Sequence, residues 1–109
     1  MKLIVEKKKL PQPPEIWLRS AGYTFIPNDK EGGVSFARRL TRDFYPRFHI
    51  YFTEAEDESG AEQVTFNLHL DQKRPGYEGQ NRHNAEYDGA AVETEAARLK
   101  GLVLPEIFV

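Results

Sequence analysis

Three histidines and one aspartate are the residues of this 109-residue chain whose types and spacing best suit the binding of a metal ion. His49 lies in the run RFHIYFT, and His69 lies just before Asp71 in the run VTFNLHLD. His83 follows in a stretch that contains glycine and asparagine. Imidazole nitrogens and carboxylate oxygens suit zinc, manganese or iron. These four residues form a candidate metal site, provided that the fold brings them together.

Both runs alternate between apolar and polar residues, which predicts two half-buried strands. One face of the pair carries Phe48, Ile50, Phe52, Val64, Phe66, Leu68 and Leu70. His49, His69 and Asp71 fall on the opposite, polar face. A shift of the pairing by one residue would expose all the apolar side chains, at a cost of roughly 10–20 kcal/mol. The alternation therefore determines which residues share a face.

An acidic connection joins the two runs, so we expect an antiparallel hairpin with its turn near residues 58–59. The most symmetric register pairs His49 with His69, Arg47 with Asp71, and Tyr51 with Asn67. Opposed residues have Cβ atoms about 4.5–5.5 Å apart, so two imidazoles could share one ion. Shifts of two residues keep the same faces and stay open at this point.

The whole pattern predicts an α+β fold, in which two helices cover the apolar face of an antiparallel meander. We expect strands over 23–28, 34–42, 47–54 and 63–71, and helices over 14–21 and 89–100. Pro14 suits the first helical position, and Trp17 is a predicted core anchor. Asp88 is the predicted N-cap of the second helix, which should bury Val92, Ala96 and Leu99.

Two segments leave alternatives. In 34–42, Arg38 shares a face with Val34, Phe36 and Leu40, which suggests an edge strand or a bulge, and a helix is the rival interpretation. The long stretch 72–88 has no periodicity. Loops of this length inside compact domains are usually functional or disordered. We expect that no helix covers the polar face of the sheet and that this loop folds over it.

Composition indicates one domain, 1–109, with an N-terminal arm, 1–13, and an apolar tail, 102–109. Residues 2–5 of the arm could form a short strand. The chain has no cysteine, which excludes disulfides and thiolate metal sites. No apolar run approaches the roughly 18 residues of a membrane span, so we expect a cytoplasmic protein without a membrane partner. The apolar tail should pack on the core, extend the sheet or contact a second copy in a homodimer.

Charge is unevenly distributed and favours an anionic partner for the first half of the chain. Residues 1–53 carry ten Lys and Arg against five acids, whereas residues 54–109 carry five against twelve. A polar sheet face with tyrosines and a basic rim can stack single-stranded bases and hold phosphates. The candidate ligand-binding residues are Arg47, His49, Tyr51, Asn67, His69, Arg74, Tyr77 and Arg82.

The sequence thus favours a small binding module over an enzyme, and no catalytic residue is assigned. Its polar face and the 72–88 loop would hold an anionic ligand such as single-stranded nucleic acid. One alternative is a metal-dependent hydrolase that uses zinc or another divalent metal at His49, His69, Asp71 and His83. The other is an oligomerisation protein that works through its apolar termini.

If the ligand is single-stranded RNA or DNA, its affinity should fall steeply as salt rises, because phosphate binding releases counterions. Arg47→Ala and Arg74→Ala should each weaken binding. A gel-shift titration starting at about 50 mM salt measures both effects. No shift at tens of micromolar protein would rule out this ligand.

Overall fold

The computed structural model describes residues 1–27, 34–72, 85–86 and 89–105. In chain order the elements are β1 (Lys2–Glu6), a 3-10 turn (Lys7–Lys9), α1 (Pro14–Ser20), β2 (Thr24–Ile26), β3 (Ser35–Arg39), β4 (Arg47–Glu56), β5 (Glu62–Asp71), β6 (Ala85–Glu86) and α2 (Ala90–Lys100). The predicted α+β class, with an antiparallel sheet and two helices, is confirmed.

The sheet has more strands than the four predicted. Its order is β1-β5-β4-β3-β2, and the short β6 pairs with β5. Part of the predicted N-terminal arm is therefore an edge strand, β1, which pairs with residues 63–67 of β5. β6 lies within the stretch predicted as a loop and pairs with the end of β5. Both additions lie along the same edge of β5, opposite β4.

The β4–β5 hairpin has the predicted register. On its polar face Arg47 pairs with Asp71, His49 with His69, and Tyr51 with Asn67. At the turn, Asp57 Oδ1 accepts hydrogen bonds from the backbone N–H groups of Ser59 and Ala61, each at 2.9 Å. Gly60 has a φ of 86°, a left-handed conformation that glycine adopts readily. This turn selects one register among those that keep the same faces.

Both helices pack on the apolar face of the sheet. Trp17 in α1 is buried, as predicted, and its ring centroid lies 5.1 Å from that of Phe66 in β5. The predicted stripe of α2, Val92, Ala96 and Leu99, is buried in the same core. Neither helix has the length and apolar content needed to cross a membrane, and this holds for the described residues.

The beginning of the C-terminal tail docks beside α1 and the 3-10 turn. The Trp17 indole N–H donates to the Leu102 carbonyl at 3.1 Å, and the Leu104 N–H donates to the Lys9 carbonyl at 2.8 Å. Val103 packs against the core. Residues 102–104 of the predicted apolar tail therefore lie against the fold, while residues 106–109 lie outside the described part.

The start of α2 differs from the prediction. Gly89, rather than Asp88, occupies the N-cap position, with a φ of 115°. A residue with a side chain rarely adopts this φ, so the backbone here favours glycine over a capping aspartate. Asp88 itself lies outside the described residues.

A buried ion-pair network explains the irregular pattern of β3. This segment is a strand, as predicted, and it lies between β2 and β4 in continuous register. The edge position or bulge that its pattern suggested, and the rival helical interpretation, are wrong. Arg38 faces the apolar side because Glu95 of α2 lies there, only 3% exposed. The Arg38 guanidinium is 3.5 Å from Glu95 Oε1, and Arg98 donates to both carboxylate oxygens at 2.7 and 2.9 Å.

Tyr23 completes this network, and its hydroxyl donates to Glu95 Oε2 at 2.6 Å. Burial by itself would raise the pKa of Glu95, but the hydrogen bonds from Arg98 and Tyr23 and the arginine charges lower it below its ordinary value. Burial, together with the neighbouring carboxylate, raises the pKa of Tyr23 far above its ordinary value. Glu95 is therefore an ionised acceptor that ties α2 to β3 and to the segment before β2.

Glu95→Ala should lower the free energy of unfolding by about 3 kcal/mol, because it leaves Arg98 and Tyr23 without their acceptor. Removing one partner of a fully buried ion pair lowers stability by more than this. The loss is smaller here because the Arg38 and Arg98 side chains are 34% and 35% exposed. Glu93→Ala, at an exposed position of the same helix, is the matched control and should cost less than about 0.5 kcal/mol. Urea unfolding at pH 7 measures both.

The pH dependence provides a second check. The pKa of Glu95 is lowered in the folded chain, so its contribution is present above the ordinary glutamate pKa and is lost as the pH falls. The stability difference between wild type and Glu95→Ala should therefore shrink on acidification. Equal stabilities of the Glu95→Ala and Glu93→Ala proteins at pH 7 would contradict a stabilising role for the network.

Candidate metal centre

The β4–β5 register brings His49, His69 and Asp71 together on the polar face of the sheet. His49 Nδ1 lies 2.8 Å from His69 Nε2. Asp71 Oδ1 lies 3.1 Å from His69 Nε2, and Asp71 Oδ2 lies 3.7 Å from His49 Nδ1. Within the described part of the chain, this is the one group of three or more histidine, cysteine, aspartate or glutamate side chains whose potential metal-binding atoms all lie within 4.8 Å of one another.

The separations between these donor atoms match those of metal ligands. Two ligands about 2.0–2.1 Å from an ion lie about 2.9 Å apart at a right angle and about 3.4 Å apart in a tetrahedron. The separations of 2.8 Å from His69 Nε2 to His49 Nδ1 and 3.1 Å from His69 Nε2 to Asp71 Oδ1 lie close to these values, and the 3.7 Å between His49 Nδ1 and Asp71 Oδ2 is somewhat longer. One ion could therefore contact all three residues after small side-chain adjustments.

The three side chains of this centre are largely shielded from solvent. His69 is buried, and the side chains of His49 and Asp71 are each only 13% exposed. The two imidazole rings meet edge to face, with centroids 4.5 Å apart, so each ring screens the other from solvent. Low exposure strengthens charge interactions at this site, because less water is present to screen them.

Asp71 is held in its ionised form. Burial by itself would raise the pKa of this carboxyl, but the hydrogen bond with His69 and the charges of His69, His49 and Arg47 lower it below its ordinary value. Arg47 Nε lies 3.4 Å from Asp71 Oδ2, which leaves Oδ1 as the oxygen nearest His69. Partners of this kind orient carboxylates that bind metals.

The remaining predicted site residues are placed as follows. Arg47 adjoins the cluster, and Tyr51 and Asn67 form the next half-buried pair on the same face, toward the hairpin turn. Four predicted residues lie outside the described part of the chain: Arg74, Tyr77, Arg82 and His83. Most of the 72–88 loop, which was expected to cover the polar face, lies outside it as well. They stay predictions.

The candidate ligand-binding residues did not include Arg39, which lies directly across from Arg47 in the β3–β4 pairing. Once β3 is identified as a strand with Arg38 on the apolar face, alternation places Arg39 on the polar face. The same face-matching rule that set the β4–β5 register would then have brought the two arginines to the same side. The signal was present, but it was obscured by the competing helical interpretation of this segment.

Comparisons of the chain with family models, with curated proteins and with solved structures gave no match. We therefore infer function from the geometry of the side chains.

Proposed function

We propose that this protein is a small binding module that holds one divalent transition-metal ion on the polar face of its sheet. His49 Nδ1, His69 Nε2 and Asp71 Oδ1 are the proposed ligand atoms. The observation that supports this function is that His69 Nε2 lies 2.8 Å from His49 Nδ1 and 3.1 Å from Asp71 Oδ1, so that donor atoms of three residues on two strands converge.

The ligand types favour zinc, manganese or iron. Two imidazoles and one carboxylate suit these ions, whereas calcium prefers a shell made of oxygen atoms and magnesium keeps several waters. The ionised Asp71 supplies one negative charge, and neutral imidazoles supply lone pairs. Arg47 opposes a cation by its charge, but its contact with the other carboxylate oxygen of Asp71 leaves the proposed ligand atom accessible to the ion.

A metal-free hydrogen-bond network is the competing explanation for the same distances. A 2.8 Å separation of two ring nitrogens is also that of a hydrogen bond, with a single proton between them. In that case His49, His69 and Asp71 would stabilise the hairpin without any ion. The two explanations differ in one measurable respect, which is the response of the protein to added metal.

The metal-dependent hydrolase is a second candidate, because three protein ligands leave a coordination position for water. Catalytic zinc sites have this arrangement, whereas a fourth protein ligand makes the site structural. His83, predicted as a ligand, decides between them. A loss of zinc affinity in His83→Ala as large as that in His49→Ala would identify a closed, structural site, and unchanged affinity would favour the open one.

Zinc should stabilise the fold. With micromolar affinity, 100 μM zinc would raise the free energy of unfolding by about 2.7 kcal/mol. The melting temperature should then rise by about 10 °C for a domain of this size. Calorimetric titration of protein purified without a polyhistidine tag should give one ion per chain.

His49→Ala, His69→Ala and Asp71→Asn should each abolish this stabilisation by zinc, and each should also lower the metal-free stability by about 1–3 kcal/mol, because a buried partner loses its hydrogen bond. Asn67→Ala, on the same face but outside the cluster, is the matched control and should keep the full response. Two results would overturn the proposal. One is the absence of a shift with zinc, manganese, nickel and iron(II); the other is an equal shift in the double variant of His49 and His69.

A further inference from the structure

The polar face carries a second feature beside the metal centre, a pocket between β2, β3 and the β3–β4 connection. Its volume is about 460 Å³, within the range of small-molecule sites. The wall includes Thr24, Ile26, Ala37, Arg39, Phe44 and Arg47, and it contains no acidic residue among those described. The pocket thus combines two guanidinium groups with an aromatic and an aliphatic surface.

The two arginines are an unusual pair for a sheet. Arg39 and Arg47 lie directly opposite each other on β3 and β4, where like charges normally destabilise the pairing. Arg47 is compensated by Asp71 at 3.4 Å. For Arg39 the structure shows no carboxylate partner among the described residues; its guanidinium carbon lies 4.0 Å from the ring centroid of Phe44. Among its described residues, the pocket therefore has an excess of positive charge that an anion would neutralise.

The aromatic residues beside the arginines support the same conclusion. Phe44 is 63% exposed, which is high for a phenylalanine. Its ring and that of Tyr45 each lie beneath an arginine, and the Arg47 guanidinium is 4.7 Å from the Tyr45 centroid. Such stacking holds a guanidinium in place while its N–H groups, which lie in the guanidinium plane, stay available to a ligand.

We propose that this pocket binds a small organic anion. Its phosphate or carboxylate group would accept hydrogen bonds from Arg39 and Arg47, since guanidinium groups match both oxyanions. The Thr24 hydroxyl lies in the same wall and could donate another. A ring or aliphatic part of the ligand would lie against Phe44 and Ile26. This goes beyond metal binding. Two residues of the pocket wall adjoin both sites: Arg47, which contacts Asp71, and Ala37, which pairs with His49.

Ala37 contributes a small side chain to the lining of the pocket. Ala37 lies between Thr24 of β2 and His49 of β4 in one cross-strand row, which continues to His69. A larger residue at this position would extend into the pocket from its floor. Ala37→Leu is therefore a variant that fills the site without removing a charge.

Binding is best tested by calorimetry on the full chain with four probes: phenyl phosphate, benzoate, inorganic phosphate and uncharged benzyl alcohol. We expect phenyl phosphate or benzoate to bind more tightly than inorganic phosphate, and benzyl alcohol not to bind. The comparison of phenyl phosphate with benzoate separates the two oxyanions. Each titration is made with EDTA and again with zinc.

Arg39→Gln and Ala37→Leu should each weaken binding of the better probe by about tenfold or more. Arg42→Gln is the matched control: Arg42 is exposed, close in sequence and absent from the pocket wall, so binding should be unchanged. Circular dichroism melting of each variant shows whether a loss of binding reflects loss of the fold. If Ala37→Leu unfolds, Phe44→Ala tests the apolar wall in its place.

Two results would overturn the anion pocket: no binding of either aromatic anion at millimolar concentration, or equal weakening by Arg39→Gln and Arg42→Gln. Because binding is measured with EDTA as well, the two proposals fail separately. A protein that binds zinc but no anion refutes the pocket alone. One that binds the anion but no metal refutes the metal centre alone.

Discussion

The pairing of β4 with β5 in one register is the constraint on which the rest of the structure depends. The apolar face of this hairpin is the floor on which both helices pack, so a shift by one residue would remove the core. A shift by two residues would keep the core but move His49 away from His69. The hydrogen bonds of Asp57 at the turn oppose such a shift. The turn therefore protects the geometry of the candidate metal centre, although it lies at the far end of the hairpin.

The Glu95 network serves the other half of the fold. Apolar contacts hold α2 over the sheet without specifying its rotation, because they have no preferred direction. Hydrogen bonds from Tyr23, Arg38 and Arg98 to one carboxylate do have direction. Burial of an ionised group costs free energy that the contacts must offset, and we regard conformational specificity as the main gain from this network. It also allows β3 to carry an arginine on its apolar side.

The polar face is divided electrostatically. At one end, the carboxylate of Asp71 and two imidazoles form a centre suited to a cation. At the other, Arg39 and Arg47 line the pocket that we propose for an anion. Arg47 belongs to both, since it contacts Asp71 and lines the pocket. The two sites are neighbours because the cross-strand rows that start at β2 and β3 continue through β4 to β5.

The amino-acid sequence is enough to predict the hairpin and its faces, and it makes the pairing of His49 with His69 the most symmetric of the registers that stay open; the structure shows that this register is the one adopted. These predictions follow from local rules, since side-chain alternation has a period of two and a short acidic turn favours the symmetric register. Only the tertiary structure decided that Glu95 is buried, that Arg38 belongs to a central strand and that Arg39 opposes Arg47 beside a pocket. Each of these depends on segments distant in sequence: Glu95 meets Tyr23 across 72 positions and Arg38 across 57. A periodic pattern assigns a residue to a face, but its partners on that face are set by how the elements pack.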